Sequence, residues 1–290
     1  MAWTRRGLLA AVAIGGAAPR LAWAADQDSE PLWEVRDGRA RVFVCGEGAS
    51  PPTAWRSARI QSAFDQSAIL WKETPDASAA VKTPAFLAVA IDKARPLSTW
   101  LSEAQRARVA AAAETVGMTY GFLEPFRPWA AGQGLYSSMA RRFGGVTANG
   151  PEPVLTRMAQ AAGKPIQTEF ADYKAAIDLF ADFPALAQVQ YLSMAVDWID
   201  EGADMWRRRA TAWSAGDLGV ETGEVDRMRR TYPELYQDYV VVRNRRWPGR
   251  IRAILDEGQT GLVLVGCDHL VGPDSVLVQL NAAGMRARRV

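Results

Sequence analysis

The sequence is most informative in what it lacks. Its 290 residues include one histidine, His269, and two cysteines, Cys45 and Cys267. A single histidine excludes metal centres built from several imidazoles. No Gly-x-Ser-x-Gly elbow and no glycine-rich phosphate loop stands out, which removes two well-marked catalytic motifs. No internal repeat and no low-complexity linker divides the chain.

Residues 1–24 have the layout of a cleaved secretory signal. They carry Arg5 and Arg6, an apolar run over residues 7–18, and the small-x-small ending Ala22–Ala24. The run is too short for a membrane span, which needs about 20 apolar residues. The start "TRRGLL" resembles a twin-arginine export signal; ordinary secretory export and a retained anchor are the alternatives. We therefore expect a periplasmic or secreted protein with no membrane span after cleavage.

The mature chain also lacks an excess of charge. Removing the signal takes away three of the 34 basic residues and none of the 32 acidic ones, so the balance is close to neutral. This balance gives no reason to expect a nucleic-acid partner. The arginine runs at 205–210 and 227–233 lie in helical patterns and are expected to be solvated helix faces.

Hydrophobic periodicity and turn residues divide the chain into elements. Alternation on either side of Asp37–Gly38 predicts a hairpin with a two-residue turn. The same criteria predict, in chain order, a helix over residues 53–66, a strand ending at Glu73, a loop over 74–84, a helix between an N-cap at Ser102 and a stop at Gly117, a proline-broken helical stretch over 122–142, a flexible segment over 144–150, a helix over 152–163 and a strand over 164–170.

Strands at both ends of the chain enclose a large helical section over residues 172–257. This order predicts an α/β domain over residues 25–290, tending to α+β, with a central mixed sheet and helices on its faces. A separate helical domain in the middle is the alternative.

Near the C-terminus, the strand "LVLVG" ends in a turn that carries the only histidine, and a helix and a further strand are expected after it. His269 lies three residues past the end of this strand, and "GPDSV" is expected to begin a helix with Pro273 in the first turn. Ligands of open α/β sheets bind at the carboxyl ends of strands, so His269 is a candidate functional residue, with a structural histidine as the alternative.

Several short stretches, in this order and spacing, resemble the TraB/GumN (PrgY, TIKI-like) family over nearly the whole mature length. They are "LWEVRDG", "ILWKE", "RPW", "GPEPVL", "GKPIQTE", "AWSAGD", "RNRRW" and "GCDHLVGPD". The resemblance implies an α/β fold similar to that of the erythromycin-esterase and ChaN group. Animal relatives in the family are described as metal-dependent peptidases, which makes a metal-dependent hydrolase one expectation for this chain.

Members of this family typically carry two Gly-x-x-His turns, a glutamate after the next strand and an arginine before the last strand. In this sequence the glutamate falls on Glu73, the arginine on Arg243 and the second histidine on His269. The first turn departs from the pattern, because Ala49 stands where the resemblance implies a histidine.

With Ala49 in that place, the resemblance leaves Glu73 and His269 as metal donors. A catalytic zinc usually has three protein ligands. If strand alternation continued through the turns, Cys45 and Glu47 would share a side with position 49, and Cys267 would share one with His269. Glu47 is then the candidate third donor, in a site suited to divalent Mn, Fe, Co or Zn; without it the expectation is no metal.

Other roles stay open from the sequence alone. Cys45 and Cys267 can form a disulfide, remain buried thiols or bind metal as thiolates. Arg243 can clamp a substrate or form a structural ion pair with Glu73 or Glu169.

Asp268 can orient His269 or cap the next helix. The tryptophans are expected to pack helices, and a few of them can line a groove.

Two functions follow. The first is an exported metal-dependent hydrolase of the peptidase kind, in which Glu73, Arg243 and His269 act. The second is a catalytically inactive member that binds a peptide or an envelope component in the same pocket. Ala49 favours the second, and the intact "GCDHLVGPD" turn favours the first. Fold analogy alone does not decide between them.

Overall fold

The structure is a computed structural model that describes residues 29–48, 55–143 and 150–290. The predicted export signal, Ala49 and most of the flexible segment expected at 144–150 lie outside the described residues.

A mixed six-stranded sheet forms the centre of the molecule, as predicted. Its order is β4-β3-β5-β2-β1-β6. The four strands β4, β3, β5 and β2 run parallel to one another, and β1 pairs antiparallel with both β2 and β6. The strands are β1 (Leu32–Asp37), β2 (Ala40–Glu47), β3 (Ile69–Lys72), β4 (Ile166–Thr168), β5 (Thr260–Gly266) and β6 (Ala287–Arg289).

Helices fill most of the remaining chain, and the expected helical middle section is present. They are α1 (Ala58–Gln66), α2 (Ala79–Ala90), α3 (Glu103–Thr115), α4 (Tyr120–Leu123), α5 (Pro128–Phe143), α6 (Pro151–Ala161), α7 (Tyr173–Ala181), α8 (Ala185–Ser214), α9 (Gly219–Thr231), α10 (Pro233–Tyr236), α11 (Val242–Asn244), α12 (Trp247–Asp256) and α13 (Val276–Ala282), with a π-helical turn over Gln237–Val241 and 3-10 turns over Leu97–Thr99 and Cys267–His269. In the described part of the chain, no helix has both the length and the hydropathy to cross a membrane.

Local sequence signals placed several elements correctly. Ser102 caps α3 through a capping box with Gln105, as its position before a helical pattern predicts. The hairpin of β1 and β2 is present with its turn shifted by one residue, since Asp37 pairs with Ala40 and the loop is Gly38–Arg39. Gly38 takes a positive φ of 56°, which a glycine adopts without steric cost.

Three predicted elements were wrong in part. The loop expected over 74–84 is largely the first half of α2, which tolerates Pro84 inside it and packs Phe86 edge-on against Trp129. Helix α1 begins at Ala58, where Ser57 caps it, and residues 55–57 are not helical. Helix α13 is capped by Ser275, so Pro273 precedes the helix.

The carboxyl ends of the parallel strands meet at one edge of the sheet, and each brings a carboxylate there. Along this edge, in spatial order, are Glu169 after β4, Glu73 after β3, Asp268 two residues past β5, and Glu47 at the end of β2. Because parallel strands present their ends side by side, residues far apart in sequence become neighbours. We call this row the carboxylate edge.

The end of β2 is held by the last turn of α8. The indole of Trp213 donates a hydrogen bond to the carbonyl of Gly46 at 2.8 Å, and the same ring covers Gly48. A Cβ on Gly48 would lie 2.5 Å from Cδ1 of Trp213. Position 48 therefore requires glycine for the close approach of a neighbouring ring.

We predict that Gly48→Ala lowers the free energy of unfolding by about 1–3 kcal/mol, because Trp213 is held by its hydrogen bond and cannot move away freely. The matched control is Gly249→Ala in α12, where a Cβ would meet nothing within 4 Å. That change is expected to be neutral or to stabilise by up to about 1 kcal/mol. Equal effects of the two substitutions in urea unfolding would contradict this packing.

Candidate functional site

Arg243 binds the two carboxylates at one half of the carboxylate edge. Its guanidinium donates to Glu169 through Nε at 3.3 Å and Nη2 at 2.5 Å, and to Glu73 through Nη2 at 2.7 Å. Nη1 lies 2.8 Å from Nε2 of His269. The side chain is only 3% exposed. Arg243 comes from the short helix α11, and the preceding π-helical turn presents Tyr239, whose ring lies 5.3 Å from the guanidinium.

The contacts of His269 define which of its nitrogens carries the proton. Asn244 donates through Nδ2 to the carbonyl of Asp274 at 2.9 Å, so its Oδ1 is the atom that faces Nδ1 of His269 at 2.8 Å. Nδ1 must therefore be the donor in that pair. Arginine has no acceptor, so Nε2 of His269 must accept from Arg243. The fully buried imidazole is neutral, with its hydrogen on Nδ1 and its free lone pair taken by Arg243.

Both oxygens of Glu73 are also in use. Oε2 accepts from Arg243, and Oε1 accepts from the backbone amide of Gly266 at 2.6 Å. Burial by itself raises the pKa of this carboxyl group, but the attraction of Arg243 and the hydrogen bonds outweigh it and lower the pKa of Glu73 to about 2. Glu73 is therefore ionised at neutral pH, and both of its oxygens accept hydrogen bonds.

The ion pairs expected for Arg243 are both present. The side chain of Glu169 is fully buried, and a second arginine, Arg250, donates to its carbonyl at 3.0 Å and lies 3.9 Å from its carboxylate. Two carboxylates thus face two guanidinium groups, so the cluster is close to neutral. A buried charge needs this kind of pairing to be tolerated.

The other half of the carboxylate edge is not neutralised in this way. Among the described residues, neither Glu47 nor Asp268 forms an ion pair. Burial, Glu152 and Glu73 raise the pKa of Glu47 well above its ordinary value, while Lys72 acts in the opposite direction. Lys72 itself is buried and bonded to Asp76 at 2.6 Å and Glu152 at 2.9 Å.

Asp268 has neither of its two expected roles. His269 is oriented by Asn244, and the following helix is capped by Ser275. The 3-10 turn over Cys267–His269 ends the strand alternation, so the condition under which Cys267 and His269 would share a side is not met. Asp268 lines a cavity instead.

Two cavities open on this edge, one on each side of Tyr239, Phe180 and Gln133, which line both. The main cavity, of about 360 Å³, contains Glu47, Asp268 and Gly266 in its lining. The side cavity, of about 250 Å³, contains Glu73 and Arg243. Pockets of this size at the carboxyl ends of parallel strands are the usual location for ligands.

The main cavity has a further ion pair in its wall. Arg209 binds Glu221 through two hydrogen bonds, at 2.7 and 3.2 Å, with 14% and 11% of the side chains exposed. The prediction that the arginine run at 205–210 is a solvated face is therefore wrong for Arg209, although Arg207 and Arg208 are exposed. The helical position of Arg209 turns it toward the packed interior of α8 and α9.

Cys45 and Cys267 are both buried free thiols in one hydrophobic cluster. Burial raises the pKa of each thiol well above its ordinary value, which opposes thiolate formation. A Cβ on Gly46 would lie 2.7 Å from Sγ of Cys267, so glycine is needed there for close packing. The disulfide considered from the sequence stays a prediction.

The donors present do not fit a resident metal ion. Within the described residues, no group of three or more His, Cys, Asp or Glu side chains is arranged to hold a metal. Of the three predicted donors, His269 and Glu73 both contact the guanidinium of Arg243. Glu47 is not part of that cluster and lines the main cavity. A positive guanidinium occupies the position between His269 and Glu73 that a cation would take, and it uses their lone pairs.

With this geometry in view, comparison with known proteins identifies the family. The model of the TraB/PrgY/gumN family matches residues 31–289, nearly the whole chain. The chain therefore belongs to this family, as its motifs indicated. No curated protein and no solved structure matches it. The specific likeness to the erythromycin-esterase and ChaN group stays a prediction.

The sequence located some site residues and missed others. Glu73, Arg243 and His269 do meet, and Glu169 is the partner of Arg243. Asn244 was missed although it adjoins Arg243, and the main cavity with Arg209 and Glu221 was missed because helical spacing does not show which charged face is buried. Glu169 and Glu73 share a signal, since each directly follows a short strand.

We predict that Arg243→Met destabilises the fold by about 3–5 kcal/mol, because it leaves the buried Glu169 carboxylate without its main partner. Methionine retains much of the aliphatic stem, so lost packing contributes little. The control is Arg252→Met, whose partner Asp37 is exposed and whose loss is expected to cost no more than about 1 kcal/mol. Similar losses for both variants in chemical denaturation would contradict the central role of Arg243.

Glu73 gives the fold a defined acid sensitivity. Since its pKa is lowered from 4.5 to about 2, its contribution is present above pH 4.5 and is lost as the pH falls toward 2. The stability advantage of the parent over Glu73→Gln should therefore shrink by on the order of 3 kcal/mol between about pH 6 and pH 2. The control Glu103→Gln alters an exposed carboxylate, and its difference from the parent should change little. A constant advantage over Glu73→Gln across that range would contradict the assignment.

Proposed function

We propose that this chain is a ligand-binding member of its family that does not act as a metal-dependent hydrolase. The observation that carries the proposal is the position of Arg243. Its guanidinium donates to Nε2 of His269 and to one oxygen of Glu73, so neither atom is free to bind a metal ion. The backbone amide of Gly266 donates to the other oxygen of Glu73. The ligand, a peptide or another component of the cell envelope, would enter the main cavity beside this cluster.

The proposal includes export. Residues 1–24 have the layout of a cleaved signal, and the twin-arginine start suits a cargo that folds before transport. The mature protein would then begin at Ala25 and work in the periplasm or outside the cell. A near-neutral mature chain is consistent with a small-molecule or peptide ligand and gives no support to a nucleic-acid partner.

A metal-dependent peptidase is the second candidate, and one observation favours it. Glu73 and His269 contact neighbouring nitrogens of one guanidinium, at 2.7 and 2.8 Å. A divalent Mn, Fe, Co or Zn ion that displaced Arg243 would meet both donors, although the displacement would leave Glu169 buried without that partner. This cost makes the binding function the better supported of the two.

The deciding experiment uses protein purified from its native export. The intact mass is expected to show cleavage after Ala24. Metal content by mass spectrometry should equal that of the His269→Ala variant, and a peptide library should remain uncleaved with or without added Zn²⁺ or Mn²⁺. Near one equivalent of metal in the parent that is lost in His269→Ala, together with cleavage, would overturn the proposal in favour of the peptidase. Asn281→Ala is the control for an exposed substitution far along α13.

A further inference from the structure

The side cavity is lined mainly by aromatic and aliphatic side chains. The aromatic residues in its lining are Phe86, Trp129, Phe170, Tyr173, Phe180 and Tyr239. Helix α7 adds an aliphatic surface through Ala176, Ile177 and Leu179. An apolar cavity with a few polar groups at one place is the usual form of a binding site for a small ligand.

The aromatic rings follow one another in a continuous series. Phe86 meets Trp129 edge-on, with ring centroids 5.3 Å apart, and Trp129 is stacked on Phe180 at 6.2 Å. Phe180 in turn lies 6.1 Å from the ring of Tyr239. Aromatic rings gain free energy beyond area burial from stacked and edge-to-face contacts with other rings. This wall therefore favours a planar aromatic ring over an aliphatic group of the same size.

Glu73 supplies an accessible, charged acceptor in the same cavity. Its side chain is 23% exposed, and of the two cavities at the carboxylate edge it lines only the side cavity. One oxygen accepts from Arg243 and the other from Gly266, whereas an ionised carboxylate has about four lone-pair sites. A ligand can therefore donate a hydrogen bond to Glu73 without displacing either partner.

The charges around this acceptor indicate a neutral ligand. Glu73 and Glu169 face Arg243 and Arg250, so the positive and negative charges already balance. An ionic ligand would bring an uncompensated charge into a mostly apolar cavity, which is costly.

Gln133 is a second polar group in the lining. Its Oε1 accepts from the hydroxyl of Tyr191 at 2.6 Å, and within the residues that the structure describes its amide nitrogen makes no hydrogen bond. A ligand hydroxyl both donates and accepts, so it suits a lining that offers a carboxylate and an amide.

We propose that the side cavity binds a phenol group, a neutral aromatic ring that carries one hydroxyl. The hydroxyl donates to Glu73, and the ring packs in the series of Trp129, Phe180 and Tyr239. A cavity of about 250 Å³ has room for this group, since an apolar cavity of about 150 Å³ can hold a benzene ring. The phenol belongs either to a tyrosine of a peptide or to a free phenolic compound. This site is separate from the main cavity and goes beyond the ligand proposed there.

The test compares phenol with benzene and cyclohexanol, by isothermal titration calorimetry on the mature protein. Phenol should bind. Benzene lacks the hydroxyl and should bind about tenfold more weakly or worse, because a hydrogen bond to a charged acceptor is lost. Cyclohexanol keeps the hydroxyl but loses the aromatic faces, and it should bind about threefold more weakly or worse. No binding of phenol, or binding of either analogue as tight as that of phenol, would overturn the proposal.

The source of the phenol group is decided with N-acetyltyrosine amide. Tighter binding of this compound than of phenol supports the site as a tyrosine pocket for a peptide. Binding of phenol alone supports it as a site for a free phenolic compound.

Variants then locate the site. Ala176→Leu fills the cavity from α7 and should weaken phenol binding by about tenfold or more. The matched control is Ala111→Leu, the same change at an exposed position of α3, which should bind as the parent does. Ile177→Phe fills the same cavity and replaces Ala176→Leu if circular dichroism shows that variant to be unfolded. Unchanged binding in a folded cavity-filling variant would overturn the location.

Glu73→Gln tests the acceptor itself. Its amide oxygen is an uncharged acceptor, so the preference for phenol over benzene should fall severalfold in the folded variant. An unchanged preference would contradict the assignment of Glu73. Metal content measured on the same samples separates this site from the proposed function, because a metal-free parent that does not bind phenol contradicts only the phenol site.

Discussion

The buried guanidinium of Arg243 is the interaction on which the arrangement of this site depends. It joins three elements that are distant in sequence: the ends of β3 and β4 through Glu73 and Glu169, and the turn after β5 through His269. Such a group is costly to bury, and it is tolerated here because two carboxylates and an imidazole use its donors. The same bonds fix the tautomer of His269 and hold Glu73 ionised, so one side chain sets the chemistry of the others.

The close approach of neighbouring turns is the second constraint. Gly46 and Gly48 allow Cys267 and Trp213 to pack against the end of β2, and Gly266 leaves room for Asp268 and for the hydrogen bond to Glu73. These glycines let the ends of β2 and β5 approach the neighbouring turns closely. Because Arg243 pairs with Glu73 and Glu169 only, the edge is divided into a neutralised half around Arg243 and a half with Glu47 and Asp268 that faces the main cavity.

Much of the fold follows from local sequence signals, and the site follows from them only in part. The hairpin, the capped helix α3 and the strand β5 have clear patterns, and Glu73, Arg243 and His269 were located by resemblance to the family. The first half of α2 was missed because Pro84 and the polar residues before it are typical of loops. The buried pair of Arg209 and Glu221 was missed because a run of three arginines gives no sign of which one faces inward.

The direction of hydrogen bonding at His269 could not be predicted from sequence, since it depends on the orientation of Asn244 and on the geometry of Arg243. These contacts form only when the π-helical turn over Gln237–Val241 and α11 pack against the turn after β5. The resemblance located Glu73, Arg243 and His269, and an ion pair of Arg243 with Glu73 or Glu169 was expected, but the contact of Arg243 with Nε2 of His269 was not. Because Arg243 contacts both His269 and Glu73, these residues form an ion-paired cluster and do not present free donors to a metal ion.

Because His269 is the only histidine, its two ring nitrogens can be observed without ambiguity by ¹⁵N NMR of the labelled mature protein. The account predicts a neutral ring at neutral pH, protonated on Nδ1 and unprotonated on Nε2, with signals that do not change when Zn²⁺ or Mn²⁺ is added. A ring protonated on Nε2, or an Nε2 signal that shifts or broadens with stoichiometric metal, would show that Arg243 does not close the site and would contradict the account.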